Sequence, residues 1–231
     1  MFGRSDNLIT PEDAKRAYDI LGFRHQARTV SPPPSLQLSA MLHPARLIHL
    51  STLAHQEYQH RRRHGKLRGL TEYRLGVALG PQASTFDLTA VTQGLPNHAG
   101  REVDHTRTII GTIHTHPWDV SQSLGDLRSL LYTNDLLGGV VTGPGRIFLL
   151  VKDPNTPAKK QSWLTQEIDL QKTSLRAAST VFRSTGLLGV LSASFDVPVH
   201  ATRDPLIRAM CDRLGLIYYE GDIGTLTLHR A

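Results

Sequence analysis

The chain has 231 residues, 39% of them hydrophobic and 20% charged; that balance suits a soluble globular protein, and the length allows one good-sized domain or a domain with an appendage. No apolar run reaches the length of a membrane helix, Met1-Phe2-Gly3-Arg4-Ser5-Asp6-Asn7 lacks the apolar centre of a signal peptide, and the single Cys211 excludes an internal disulfide, so a cytoplasmic setting with no membrane partner is expected. The formal charge of +6 is moderately basic, and much of it is local, at Arg61, Arg62, Arg63, Lys66 and Arg68.

Taken in chain order, Thr10 as a cap, Pro11 in the first turn and Gly22 past the end predict a helix over Pro11 to Leu21. Ser31-Pro32-Pro33-Pro34-Ser35 is a stiff connector. Ser35 to Ser39 reads as a strand and Pro44 to Arg61 as a helix, with Gly65 as its terminator. Glu72 to Gly80 reads as a strand, and Thr85 to Val91 alternates Phe86, Leu88 and Ala90 against polar neighbours, as a half-buried strand does. Thr108 to Ile113 is β-branched and extended, and Pro117, which has no N–H for a ladder, ends it.

Ser123 then opens a helix over Leu124 to Tyr132, where Leu124, Leu127, Leu130 and Leu131 recur at helical spacing. Gly138 to Val141 and Arg146 to Lys152 are apolar strands joined by a Gly143-Pro144-Gly145 turn. A long helix is expected over Ser162 to Phe182. A second, Asp204 to Leu214, carries Cys211 on the side of Ile207 and Leu214 as a core thiol. Leu216 to Tyr219 and Thr225 to Leu228 are two short strands around a turn-rich loop.

Chemistry concentrates at the end of the strand that closes on His114-Thr115-His116-Pro117. Residues two apart on a strand point to one face, so both imidazoles can reach one ion. Asp126 falls in the first turn of the next helix, a short loop away. Two histidines and a carboxylate with one open position make a catalytic zinc pattern, although iron or nickel also accept such ligands. A simpler reading stays open: Ser123 and Asp126 have the spacing of a capping box, which needs no metal.

With these residues in place, the chain resembles the JAMM/MPN (JAB domain) zinc metalloproteases. Their signature is His-x-His-Pro, a short loop and Ser-x-x-Asp, with a glutamate on an earlier strand. It is matched by His114-Thr115-His116-Pro117, by Ser123-Leu124-Gly125-Asp126 and by Glu72 ahead of Gly76 and Gly80. The resemblance covers roughly residues 35 to 152. It implies an α/β, mixed α+β fold with a JAB/MPN-like sheet flanked by helices. It also implies Zn2+ on His114, His116 and Asp126, Glu72 as general base, and Ser123 as donor to the oxyanion. The reaction implied is hydrolysis of a peptide or isopeptide bond, with a protein or peptide substrate, ubiquitin-like conjugates among them. Glu72 stands one residue further from its glycine than the family glutamate does. A shift of one residue turns a strand side chain to the opposite face, unless a bulge near Tyr73 restores it; Glu57 and Glu102 are the nearest substitutes. The alternative is an inactive scaffold or binding protein of the same fold.

Other motifs carry less. His55-Gln56-Glu57-Tyr58-Gln59-His60 has its histidines five apart, about 140° round a helix from one another, so they cannot share an ion. The basic cluster from Arg61 to Arg68 reads as a solvated helix end favoured by the helix dipole, with nucleic acid or an acidic partner as the other uses. Trp118 either lines a groove or packs its loop. The expected organisation is a helix and connector over 1–34, the JAB/MPN-like core over 35–185 and an accessory α+β lobe over 186–231.

Overall fold

The computed structural model describes residues 9–26, 29–64, 71–82, 84–96, 107–116, 121–156, 163, 165–167, 169–170 and 207–231. The first helix, α1 (Pro11–Ile20), begins in a complete capping box: Thr10 accepts the Asp13 N–H, and the Asp13 carboxylate accepts the Thr10 N–H. β1 (Arg24–His25) and β2 (Val30–Ser31) form a small antiparallel pair. The expected strand from Ser35 stops early: β3 (Ser35–Gln37) passes directly into the short α2 (Leu38–Met41). The long α3 (Ala45–His64) buries Leu47, Leu50 and Ala54, a spacing of three and four that keeps one face inward.

The remaining strands are β4 (Thr71–Leu79), β5 (Phe86–Leu88), β6 (Thr92–Pro96), β7 (Ile109–His116), β8 (Leu137–Thr142), β9 (Arg146–Lys152), β10 (Leu216–Asp222) and β11 (Thr227–Arg230). Together with β3 they form one sheet in the order β3-β11-β10-β9-β8-β7-β4-β5, with β6 also paired to β4. All neighbours are antiparallel except β7 and β8. That exception follows from the chain: between β7 and β8 lies α4 (Leu124–Tyr132), and a crossover helix is what lets two consecutive strands run parallel. Between β8 and β9 the chain instead makes a tight hairpin, where Gly145 holds φ +94°, a conformation that costs glycine nothing.

The result is a mixed α+β architecture, a mostly antiparallel open sheet flanked by helices. One face of the sheet presents Leu75, Val77, Ile113, Leu149 and Tyr219 to a core that also takes in α1 and α3. The other face presents Phe148, Leu150, Leu216 and Tyr218 to Leu127 and Leu130 of α4 and to the helix at 207–214.

The expected partition at 186–231 fits the described residues poorly, because β10 and β11 lie inside the sheet, between β9 and β3. Along β10 the side chains alternate between the two cores, Ile217 and Tyr219 into one, Leu216 and Tyr218 into the other. A strand apolar on both faces must be covered on both, which an appended lobe would not do. The N-terminal helix is likewise part of the first core through Ala17, Tyr18, Ile20 and Leu21, and Tyr219 donates to the Pro33 carbonyl at 3.0 Å. Cys211 is buried among Met210 and Leu214, and burial pushes its thiol up to about 12, in keeping with a core role. Of the helix expected over Ser162 to Phe182, residues 163, 165–167 and 169–170 are helical and the rest falls outside the described residues.

Candidate metal centre

The parallel β7–α4–β8 unit sets the site. His114 and His116 stand at the carboxyl end of β7, and Asp126 lies in the first turn of the helix that crosses back over the same face. Serine and aspartate form a second capping box there: Ser123 Oγ accepts the Asp126 N–H at 3.1 Å, and Asp126 Oδ2 accepts the Ser123 N–H at 2.5 Å. The cap explains why the helix starts at Leu124, and it also fixes the direction of the carboxylate.

Three ligand atoms converge. The two Nε2 atoms are 3.1 Å apart. Asp126 turns one oxygen to each ring, Oδ1 at 3.3 Å from His114 Nε2 and Oδ2 at 3.4 Å from His116 Nε2. A tetrahedral ion with bonds of about 2.0–2.1 Å spaces its ligand atoms by about 3.3–3.4 Å; the two histidine–carboxylate distances, each to a different oxygen of Asp126, are of that size, and the three residues could hold a metal ion. His116 Nδ1 lies 3.1 Å from the Ser121 carbonyl oxygen. That oxygen can only accept, so a hydrogen bond there puts a proton on Nδ1 and leaves Nε2 as the nitrogen that faces Asp126. Among the described residues this is a group of His, Cys, Asp or Glu with metal-binding geometry. It is only partly open, with side-chain exposures of 13% for His114, 10% for His116 and 24% for Asp126.

The electrostatics match a site for a cation. Burial by itself favours the neutral form of His114, but the charge and hydrogen bond of Asp126, joined by the charge of Glu72, raise its pKa above the usual imidazole value. Burial likewise works against the Asp126 carboxylate. The charges and hydrogen bonds of His114 and His116 outweigh it and hold Asp126 well below the usual carboxylate range.

The direction of Glu72 is settled by strand register. Arg74 pairs with His114 and Leu75 with Ile113, and directly opposed residues project from the same face. Glu72, two residues before Arg74, therefore projects from the face of the two histidines. Two register irregularities accompany this: one extra residue on β6 opposite Glu72, between Gln93 and Pro96, and one on β7 at Ile110. Both bulges sit in the neighbours of β4, rather than in β4 at Tyr73. Glu57 is on α3, near enough for its charge, after burial, to raise the Tyr73 phenol; Tyr73 packs against the opposite core, so Glu57 is on the wrong side of the sheet. Glu102, Pro117, Trp118 and Asp119 lie outside the described residues.

Residues that sequence spacing did not single out complete the surroundings. The Ser121 carbonyl is a backbone group and has no residue signature. Register places Arg74 across from His114, where its Nε donates to Thr92 Oγ1 at 3.2 Å. His55 Nδ1 lies 3.0 Å from the Gly143 carbonyl, tying α3 to the β8–β9 turn.

The chain matches no family model and no curated protein. The physical case for the site therefore rests on its own geometry.

Proposed function

We propose that this protein is a zinc-dependent hydrolase of peptide or isopeptide bonds, of the JAMM type and on a JAB/MPN-like fold. The observation that carries the reading is the convergence of His114, His116 and Asp126, with the two Nε2 atoms 3.1 Å apart and a different carboxylate oxygen facing each ring at 3.3 and 3.4 Å, on the face that also bears Glu72. His114, His116 and Asp126 would hold the ion. When bound, zinc supplies Lewis acidity and makes hydroxide available near neutral pH.

The protein's own groups do the rest. Glu72 accepts the proton of the attacking water and returns it to the leaving amine. Ser123 Oγ already accepts the Asp126 N–H, which leaves its O–H to donate to the developing oxyanion; losing one such donor costs about a hundredfold or more in rate. Ser121 holds His116 in the tautomer that ligation needs. A protein or peptide substrate, ubiquitin-like conjugates included, fits this chemistry, and a cytoplasmic location fits a single buried thiol.

One observation favours the second reading, an inactive scaffold or binding protein. The Ser123–Asp126 capping box is complete without an ion, so both residues have a structural task. Metal analysis with a cleavage assay separates the two. The purified protein is expected to hold one zinc and to cleave a ubiquitin-like fusion or a peptide pool, while Glu72→Gln keeps the zinc and loses cleavage. Zinc bound with no cleavage by wild type selects the scaffold; cleavage unchanged in Glu72→Gln removes Glu72 as the base.

A further inference from the structure

The net positive charge of the chain is gathered in one place. Residues 45–70, which are α3 and the six residues after it, hold Arg46, Arg61, Arg62, Arg63, Lys66 and Arg68 against one carboxylate, Glu57. That is five of the six net charges of the protein; the other 205 residues, with 20 cations and 19 carboxylates, are close to neutral. Residues 65–70 lie outside the described residues, so the geometry rests on α3 itself.

Helix stability accounts for part of this pattern. Cations are favoured at the carboxyl end of a helix, where Arg62 and Arg63 stand. Arg46 has no such reason. A first turn favours carboxylates, and two other helices have them, Glu12 and Asp13 in α1 and Asp126 in α4; α3 has none there and carries Arg46 instead. Glu57 is half-buried and close to β4, where its charge, after burial, raises the Tyr73 phenol.

The outward face of α3 is a row of donors. Leu47, Leu50 and Ala54 face the core, so the far side is the row Ala45, His49, Thr52, Gln56, Gln59 and Arg63, spaced by three and four. None of these is acidic, and all but the half-buried Gln59 are exposed. Arg46 and Arg62, also exposed, flank the row. Among the described residues neither Arg46 nor Arg63 has an ion pair or hydrogen bond through its side chain, and Arg62 lies over the Tyr58 ring at 5.9 Å. Arg46 and Arg63 are about 25 Å apart along the helix axis.

The same face selects among polyanions. A protein interface needs an apolar or aromatic centre, and Ile48 is the one large apolar side chain exposed among the described residues of α3. A single nucleic-acid strand needs aromatic faces for its bases, and the one Phe, Tyr or Trp of α3 is Tyr58, half-buried beneath Arg62. A duplex needs neither: its closely spaced phosphates are met by arginines and by neutral donors. We propose that the outward face of α3 binds the phosphate backbone of duplex nucleic acid over about seven base pairs, at 3.4 Å each, without reading bases. α3 packs into the core that takes Ile113, whereas His114 projects from the other face of the sheet. The proposal therefore stands apart from the hydrolase reading.

The full chain is titrated into a labelled duplex of about 16 base pairs and mixed sequence, and anisotropy is followed from about 0.05 to 0.3 M salt. Three arginines on three phosphates give a slope of about −2.7 in log affinity against log salt, and a slope at least that steep is expected. Arg46→Gln with Arg63→Gln should flatten it by about 1.8 and weaken binding roughly sixtyfold at 0.1 M salt, because each contact contributes about eightfold between 1 M and 0.1 M. Arg46→Lys with Arg63→Lys keeps both charges and should restore both values nearly to those of the parent. Lys15→Gln with Arg24→Gln removes the same charge from exposed positions on α1 and β1 and should leave the slope unchanged. Each slope compares affinities of one protein, so partial loss of folded material does not change it. No binding by the parent at the lowest salt overturns the proposal, as does an equal loss in the Lys15 and Arg24 pair. Tighter binding of a glutamate-rich peptide of equal charge would give the face to an acidic protein, and tighter binding of the single strand would give it to unpaired nucleic acid; either result also overturns it. Duplex binding by a protein that holds no zinc and cleaves nothing keeps this proposal and defeats only the hydrolase reading.

Discussion

Replacing Asp126 by asparagine separates the two tasks of that residue. The amide oxygen can still accept the Ser123 N–H that Asp126 Oδ2 accepts at 2.5 Å, so the cap itself should lose about 0.5–1 kcal/mol, and the metal-free protein loses in addition the attraction between the carboxylate and the two histidines. Ligation is another matter. Structural zinc sites with four ligands bind with roughly 10–16 kcal/mol, about 2.5–4 kcal/mol per ligand, so loss of the charged oxygen should weaken binding by roughly a hundredfold. Zinc at 100 times its dissociation constant stabilises a protein by about 2.7 kcal/mol. For a chain of this length each kcal/mol moves the melting midpoint by about 2–4 °C. Wild type should therefore gain roughly 5–11 °C on adding zinc at that concentration, while Asp126→Asn at the same concentration should gain roughly 1–2 °C. Differential scanning fluorimetry, with and without chelator, reads both numbers. An equal gain in the two proteins would mean that the carboxylate is no ligand, and that the converging triangle is only a helix cap beside two histidines.

Other outcomes follow from the same geometry. His114 is raised above its ordinary value of 6.5 in the folded, metal-free protein. Its contribution to stability is therefore fully present below that value and is lost as pH rises through the higher folded pKa; a melting series in chelator should slope downward there, and His114→Ala should flatten it. Asp126, held low, behaves in the opposite sense: its contribution is present above its ordinary value of 3.8 and is lost as pH falls through the folded one. Zinc affinity by competition titration should rise across the window in which His114 gives up its proton, and a flat profile would count against a protonated imidazole in the empty site. A Cβ at Gly111 would come 2.1 Å from the Leu137 carbonyl, so Gly111→Ala must push β7 from β8, costing about 1–3 kcal/mol in denaturant unfolding and weakening zinc binding with it. Leu127, on α4 and fully buried, should cost about 2–5 kcal/mol as alanine; a smaller loss would show that α4 is not anchored by its apolar side.

Much of the local structure was legible residue by residue. Thr10 with Pro11, and Ser123 with Leu124, mark the observed starts of α1 and α4, because a cap is a contact between residues three apart. The spacing of His114 and His116 placed both on one face because a strand alternates every residue, and Asp126 came near because a crossover helix begins close to where its strand ends. Ser35 to Ser39 was less legible: nothing in five residues says that β3 is held to three by its pairing with β11 at Ser35, Leu36 and Gln37.

The amino-acid order alone determined the donor types, their spacing along one strand and one helical turn, and the cap that aims the carboxylate; all of these are interactions within a dozen residues. It could not determine whether Glu72 turns toward the histidines, since that depends on which residue of β7 lies opposite Arg74 and on bulges at Ile110 and within β6. Nor could it show that the last two strands pair between β9 and β3. Register and strand order come from pairing between distant segments, chosen by how two cores close at once, and only the assembled sheet makes that choice visible.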